Sequence, residues 1–186
     1  YTPANAGTFA ANTRATMSNS WSGSYSFSFW FKTSSTLQQR ILYGGNASNM
    51  VYLESNTLSF RPGTTSGRTW NTSNASNNSW HHFALTVNGS TVTLYYDGVA
   101  LSPSIAGTMG GTFSQTLFND VSSGLAGSFD EFLFYTKELN SSEVTTLYGS
   151  GTPLQVTDYT DVYAAYHLNE LSGTTMTDSS GNGRNL

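Results

Sequence analysis

Oxygen-bearing side chains occupy every second position near the end of the sequence. Asp178, Ser180 and Asn182 alternate in the segment TDSSGNGRNL and are followed by Gly183. Calcium loops place oxygen ligands at their first, third and fifth positions and a glycine at the sixth. The spacing therefore predicts a structural calcium site formed by these three side chains. The alternative is a turn in which the aspartate accepts backbone N–H groups and no metal binds.

A tryptophan lies within the longest polar stretch of the chain, RPGTTSGRTWNTSNASNNS. Trp70 is preceded there by Arg61 and Arg68 and is followed by Asn71. Sugars stack on exposed aromatic rings and hydrogen-bond to amide and guanidinium groups. These four residues therefore predict a ligand-binding site for carbohydrate, provided that the indole is exposed. The alternative is that Trp70 covers one end of the hydrophobic core.

The residues that could support catalysis are poorly spaced for it. Asp130 and Glu131 are adjacent, so on a strand their side chains should point to opposite faces and cannot form an acid and base pair. His81 and His82 should diverge in the same way, and we expect them to be structural. The chain also lacks the Gly-x-Ser-x-Gly motif of serine hydrolases. The sequence therefore predicts a protein without enzyme activity.

The composition limits the class of protein. The 186 residues suit one domain with a sizeable core, and the aromatic content of 14 % argues against disorder. Charged residues make up only 10 %, and the net charge of −4 leaves no basic surface for nucleic acid. No apolar run is long enough for membrane insertion. Because cysteine is absent, disulfides and thiolate metal sites are excluded.

The hydrophobic pattern repeats every second residue and indicates strands. In SYSFSFWFKT the aromatic residues alternate with serines, and HFALTVNGSTVTLYYDG is a hairpin with Asn88 and Gly89 at its turn. MVYLESNTLSF reads as a second hairpin, and GSFDEFLFY is apolar on both faces, as in a covered central strand. In NSSEVTTLYGSG a capping box of Asn140 and Glu143 predicts one short helix that ends at Gly149. These elements predict an all-β protein with two packed sheets.

Three of these segments, in this order, resemble a known family. SFSFWFKT, WHHFALTVNGSTVTLYYDGV and GSFDEFLFYTKELNSSEVTTLY are similar to the laminin G-like, concanavalin A-like domains of bacterial and phage surface proteins. The resemblance covers roughly residues 20–150. It implies a two-sheet antiparallel jelly-roll sandwich, a fold that carries lectins, adhesins, enzyme-appended modules and structural repeats.

The C-terminal segment YAAYHLNELSGTTMTDSSGNGRNL resembles the opening strand and turn of such a domain. The resemblance implies a sandwich over residues 1–150, a linker over 151–158 and a displaced first strand over 159–186. That strand could fill its slot in the same chain, fill the slot of a neighbouring subunit, or begin a further domain. An empty slot would leave an unpaired sheet edge, which favours one of the first two arrangements.

The resemblance also carries expectations about ligands and location. Domains of this family often hold a structural calcium between this turn and the acidic pair of the last strand, which would add Asp130 to Asp178, Ser180 and Asn182. We expect an extracellular, cell-surface or virion module that binds carbohydrate in adhesion. The alternative is a structural subunit of a virion or fibre assembled through its C-terminal strand. The expected partners are therefore a glycan or neighbouring subunits.

Overall fold

The protein is described by a computed structural model. It describes residues 7–9, 15–20, 23–46, 48–61, 68–89, 91–102, 104–106, 112–117, 126–170 and 175–186. These residues form two antiparallel sheets and a short helix. No helix in these ranges is long and apolar enough to cross a membrane.

The first sheet has eight strands in the order β1-β13-β3-β8-β9-β10, with β11 paired to β9 and β14 paired to β13. Its strands are β1 (Gly7–Phe9), β3 (Ser24–Lys32), β8 (His81–Asn88), β9 (Thr91–Tyr96), β10 (Val99–Ala100), β11 (Ile105–Ala106), β13 (Gly127–Tyr135) and β14 (Val162–Tyr166). The second sheet has six strands in the order β2-β12-β4-β5-β6-β7. They are β2 (Ala15–Ser20), β4 (Gln39–Asn46), β5 (Ser48–Glu54), β6 (Thr57–Arg61), β7 (Arg68–Asn71) and β12 (Thr112–Leu117). The predicted all-β, two-sheet antiparallel sandwich is confirmed.

The main hydrophobic core lies between the two sheets. Strand β3 contributes Phe27, Phe29 and Phe31 to it, while the intervening serines point to the outer face, as their alternation predicts. The ring of Phe29 stacks on that of Phe132 at a centroid distance of 5.0 Å. Stacked and tilted aromatic pairs of this kind add stability beyond the apolar area that they bury.

The hairpin of β8 and β9 is present, but its turn begins one residue later than the predicted Asn88 and Gly89, because Asn88 still belongs to β8. Asn88 pairs with Thr91, and Gly89 has a φ of +48°, a conformation that glycine adopts without strain. A second turn follows β9 at Asp97 and Gly98, where φ is 49° and 76°. A Cβ atom at Gly98 would lie 2.9 Å from the ring of Tyr148, so both the conformation and the close approach favour glycine.

The helix α1 (Ser141–Tyr148) covers the outer face of the eight-stranded sheet. Its predicted capping box is present, because the Asn140 side chain accepts the N–H groups of Ser142 and Glu143, and Glu143 accepts the N–H of Asn140. The helix ends at Gly149, again as predicted. Its buried residue Val144 belongs to a second apolar cluster on that face, which explains why β13 is apolar on both sides.

The C-terminal strand β14 lies beside β13 of the same chain, along the edge that β13 also shares with β1. Ala164, Tyr166 and Leu168 enter the main core, but Val162 belongs to the outer cluster. The four residues alternate in the sequence, which predicts one shared face, but Val162 lies on the other face because the register of β14 shifts beside Tyr135. The division at 1–150, 151–158 and 159–186 stays a prediction, as does the choice between a strand in cis, a strand in trans and a further domain.

Candidate functional site

Trp70 is buried rather than exposed. It is 8 % exposed, belongs to the main core and lies opposite Leu58 of β6. In β7 the side chains alternate, so Trp70 faces the other sheet while Thr69 and Asn71 face solvent. The prediction that the indole is exposed is therefore wrong. Trp70 instead packs in the hydrophobic core, in line with the alternative. The side chain of Arg68 lies outside the described residues.

The opposite side of the same strands carries a row of polar residues and one aromatic ring. Arg40, Tyr52, Ser59 and Thr69 lie directly opposite one another on β4, β5, β6 and β7. The hydroxyl groups of Ser59 and Thr69 are 3.0 Å apart and hydrogen-bonded. Arg40 and Tyr52 are half-buried, Ser59 is buried and Thr69 is exposed, whereas Val51 and Leu53 on either side of Tyr52 enter the core. Since adjacent strands lie about 4.8 Å apart, the row spans roughly 14 Å.

Two predicted site residues flank this row. Arg61 lies two positions beyond Ser59 on β6, and Asn71 lies two positions beyond Thr69 on β7, so both share the outward side and both are exposed. Asn71 is paired through Thr57 with the exposed Glu54 on β5. We call the set of Arg40, Tyr52, Glu54, Thr57, Ser59, Arg61, Thr69 and Asn71 the polar face.

The polar face combines the groups that recognise hydroxylated ligands. Guanidinium groups donate hydrogen bonds, the Glu54 carboxylate accepts them, and hydroxyl and amide groups do both. The ring of Tyr52 adds an apolar surface. Sequence reasoning found Arg61 and Asn71 but missed Tyr52 and Thr69. Their signal was the alternation in MVYLES and in TWN, which places Tyr52, Thr69 and Asn71 outward and Trp70 inward.

The predicted calcium loop is held by protein hydrogen bonds. Oδ1 of Asp178 accepts the N–H of Ala165 at 3.0 Å and both the N–H and the hydroxyl of Ser180, and Oδ2 accepts the N–H of Arg184 at 2.9 Å. Burial acts to raise the pKa of Asp178, but these hydrogen bonds outweigh it and lower the pKa. The amide of Asn182 donates to the carbonyls of Val162 and Tyr163 at 3.1 Å.

A calcium ion would compete with these hydrogen bonds. A cation would have to displace four donors from Asp178, and the described residues contain no group of three acidic or histidine side chains that could hold a metal. The contacts match the alternative in which the aspartate organises the turn. Calcium binding by Asp178, Ser180, Asn182 and Asp130 stays a prediction that these residues do not favour.

Asp130 and Glu131 lie at an irregularity in β13. Phe129 and Phe132 both enter the core, and the two residues between them fit because Glu131 adopts a φ of 50°. The regular alternation that we expected is therefore interrupted here. Glu131 accepts hydrogen bonds from Nδ1 of His167 at 2.9 and 3.0 Å, and Nε2 of His167 lies 2.8 Å from the hydroxyl of Tyr159. This buried group joins β13 to the C-terminal segment.

The carboxyl of Asp130 is fully buried. Its Oδ1 accepts the N–H of Glu131 at 3.0 Å, and among the described residues its Oδ2 has no hydrogen-bond partner. Burial, aided by the neighbouring charge of Glu131, raises the pKa of Asp130 to about 7. The protonation state of this carboxyl should therefore affect the stability of the fold.

The rings of His81 and His82 diverge, as predicted. His81 lies 2.9 Å from Asp97 through Nδ1 and 3.1 Å from Asn77 through Nε2, whereas Nε2 of His82 lies 2.8 Å from the hydroxyl of Ser28 on the other side of the sheet. Burial lowers the pKa of His82 to about 4, so its ring is neutral at pH 7. Both rings are therefore buried, His81 on the inner side of the eight-stranded sheet and His82 on its outer side.

The comparisons with known proteins agree with this fold. A family model described as the concanavalin A-like lectin/glucanases superfamily matches residues 5–145. The chain belongs to this superfamily. No curated protein matches the chain. The superfamily includes both lectins and glucanases, so membership by itself does not decide between binding and catalysis.

Solved structures similar to this concanavalin A-like chain belong to proteins of different kinds. A candidate carbohydrate-binding protein from Bacteroides ovatus aligns with 97 % of the chain and 57 % of its own length, at 13 % identity and a TM-score of 0.72. Botulinum neurotoxin type C, in a structure concerning two ganglioside molecules, aligns over 72 % and 37 %, at 18 % identity and a TM-score of 0.53. Trypanosoma rangeli sialidase aligns over 68 % and 22 %, at 15 % identity and a TM-score of 0.56. At these identities the likeness shows the fold alone, and the chain spans between about a fifth and just over half of these proteins.

Proposed function

We propose that this concanavalin A-like domain binds carbohydrate through the polar face of its six-stranded sheet and has no enzyme activity. The observation that carries the proposal is the row of Arg40, Tyr52, Ser59 and Thr69 across four neighbouring strands, flanked by Arg61 and Asn71. The proposal is supported by the superfamily and by neighbours whose titles concern carbohydrate or ganglioside binding.

The residues of the polar face suit distinct parts of a sugar. The ring of Tyr52 offers an apolar surface for the C–H face of a pyranose. Arg61 and Asn71 lie on either side of the row and would fix the orientation of the sugar by hydrogen bonds. Because these side chains stand on paired strands, their spacing is set before the ligand binds, which limits the entropy lost on binding.

The test is a glycan screen followed by affinity measurements on variants. We expect Tyr52→Ala to weaken the best ligand by about 1–1.5 kcal/mol, roughly tenfold in Kd, because the stacking surface is lost. Tyr52→Phe should retain most of the affinity because it keeps the ring. Arg61→Ala should weaken binding, whereas Lys32→Ala, which removes one positive charge from the other sheet, should not. Binding that is unchanged in Tyr52→Ala and Arg61→Ala would overturn the proposal.

We further propose that the module acts outside the cell or on a virion, in adhesion. The scarcity of charged residues and the hydroxyl-rich surface support this location. The second candidate function is a structural subunit joined to neighbours by its C-terminal strand. It is supported by the position of β14 on a sheet edge and by the exposed segment before it, which includes Leu154 and Gln155.

A further inference from the structure

The outer edge of β14 is covered by the C-terminal loop instead of by another strand. Within the described ranges β14 pairs with β13 alone. On its other side the Ala165 N–H donates to Oδ1 of Asp178 at 3.0 Å, and the Ala165 carbonyl accepts the N–H of Ser179 at 2.8 Å. The carbonyl of Tyr163 accepts the guanidinium of Arg184 at 2.9 Å. An uncovered edge would be open to strand addition, so these contacts protect the sheet.

The side chain of Asn182 is a central part of this cover. Its Nδ2 lies 3.1 Å from the carbonyl oxygens of both Val162 and Tyr163. It also lies 3.1 Å from the hydroxyl of Ser180, which donates to Asp178. The amide therefore supplies the donor that a neighbouring strand would otherwise provide. An oxygen in place of Nδ2 would face these carbonyl oxygens with no proton to donate.

Asn182 is followed by Gly183, whose peptide nitrogen is poorly shielded because glycine has no side chain. Both residues are exposed, and nothing lies within 4 Å of the Cβ position of Gly183. The Gly183 nitrogen can therefore attack Cγ of Asn182. A new N–Cγ bond closes a succinimide, the Cγ–Nδ2 bond breaks, and the proton of the attacking nitrogen leaves with the amide group as ammonia. Water then opens the ring to aspartate or isoaspartate, so water is the only co-reactant.

We propose that Asn182 is a deamidation site and that its conversion uncovers the edge of β14. The product places a carboxylate beside the carbonyl oxygens of Val162 and Tyr163, and near the Asp178 carboxylate that shares the Ser180 hydroxyl with it. Repulsion replaces the hydrogen bonds of the amide, so the loop detaches from β14. The polar face belongs to the other sheet, so this proposal is independent of the proposed function.

A second Asn-Gly pair in the chain provides an internal comparison. Asn88 precedes Gly89 at the end of β8 and pairs with Ser24 on one side and with Thr91 on the other. Closure of the succinimide requires the glycine nitrogen to turn toward the asparagine side chain, and pairing on both sides resists this movement. Asn182 lies outside the strands, and its N–H makes a long contact of 3.4 Å with the Ser180 hydroxyl. Asn182 should therefore react faster than Asn88.

The modification is tested by incubation of the full chain at mildly alkaline pH, followed by peptide mapping with mass spectrometry at successive times. We expect aspartate and isoaspartate to replace Asn182 several-fold faster than they replace Asn88. An unmodified Asn182, or conversion of Asn88 at an equal or higher rate, would overturn the site.

The structural effect is tested with Asn182→Asp, which carries the carboxylate of the product from the start. Hydrogen exchange of the full ¹⁵N-labelled chain, followed by NMR, should show the amides of Ala165, Ser179 and Arg184 losing about tenfold in protection. Asn88→Asp adds the same charge at the hairpin and should leave these amides unchanged. Unchanged protection in Asn182→Asp, or equal losses in both variants, would overturn the uncovering of the edge without touching the carbohydrate proposal.

Discussion

The buried Asp130 carboxyl should make the stability of the fold depend on pH. It is fully buried, and its pKa of about 7 exceeds the ordinary value of 3.8. The folded state therefore binds a proton that the unfolded state releases between pH 4 and 7. Stability from this group is fully present below pH 4 and is lost as the pH rises through 7. His82 acts in the opposite direction, because its pKa of about 4 lies below the ordinary 6.5 and stability is lost as the pH falls.

The variant Asp130→Asn isolates the contribution of the Asp130 carboxyl to the pH dependence of stability. The amide is neutral at every pH and can still accept the N–H of Glu131. We expect the free energy of unfolding of the variant, minus that of the wild type, to rise between pH 4 and pH 8 by up to about 4 kcal/mol. Urea unfolding at several pH values measures it, and Glu138→Gln is the control for an exposed charge. A difference that does not vary with pH would show that Asp130 ionises normally.

At the scale of elements, the turn between β9 and β10 depends on a glycine for two reasons. Gly98 has a positive φ, and a Cβ atom would lie 2.9 Å from Tyr148 at the end of α1. Gly89 also has a positive φ, but nothing lies within 4 Å of its Cβ position. Both Gly→Ala variants should lose about 1 kcal/mol or more for the left-handed backbone.

The clash should make Gly98→Ala the more destabilising of the two by a further 1 kcal/mol or so, since overpacking is typically worth about 1–3 kcal/mol. The free energies of unfolding of the two variants, measured side by side in urea, give this comparison. Equal losses would mean that Tyr148 moves aside freely and that α1 does not hold this turn.

The elements that the sequence predicted best are those with a strict period of two and a typical turn, such as β3 and the hairpin of β8 and β9. The elements that it predicted less well contain an irregularity. The left-handed Glu131 lies where Phe129 and Phe132, both in the core, are three positions apart, and the register shift beside Val162 is set by pairing with β13. Trp70 was misjudged because its long polar surroundings outweighed the local alternation of Thr69, Trp70 and Asn71.

The members of the polar face could be predicted only in part, because they are brought together by strand pairing. Arg61 and Asn71 are close to Trp70 in sequence, but Arg40 and Tyr52 join them only through the pairing of β4, β5 and β6. Pairing between strands that are far apart in sequence depends on the whole fold. A hydroxyl-rich composition could indicate the chemistry of the face but not its members.

At the scale of the whole molecule, the C-terminal segment is tied to its own chain by several contacts. Nδ1 of His167 lies 2.9 Å from a carboxylate oxygen of Glu131, and the N–H of Thr136 donates to the carbonyl of Asp161 at 2.8 Å. Strand β14 also pairs with β13 from Phe132 to Tyr135. Burial of Tyr166 and Leu168 adds roughly 1.5–3 kcal/mol each.

We therefore expect the full chain to be a monomer of 20.1 kDa over a wide range of concentrations. Light scattering on a sizing column measures this mass, and deletion of residues 159–186 should expose the edge of β13 and cause self-association. Oligomers of the full chain that disappear on this deletion would instead support assembly by strand exchange between subunits.

The central claim is that the polar face of the six-stranded sheet binds carbohydrate. It is tested most directly by NMR mapping of the best glycan from the screen on the full ¹⁵N-labelled chain. We expect the largest amide shifts on β4 to β7, at Tyr52, Ser59, Arg61, Thr69 and Asn71, and their loss in Tyr52→Ala. Shifts confined to the eight-stranded sheet or to the C-terminal segment would contradict the claim, as would a screen in which no glycan binds.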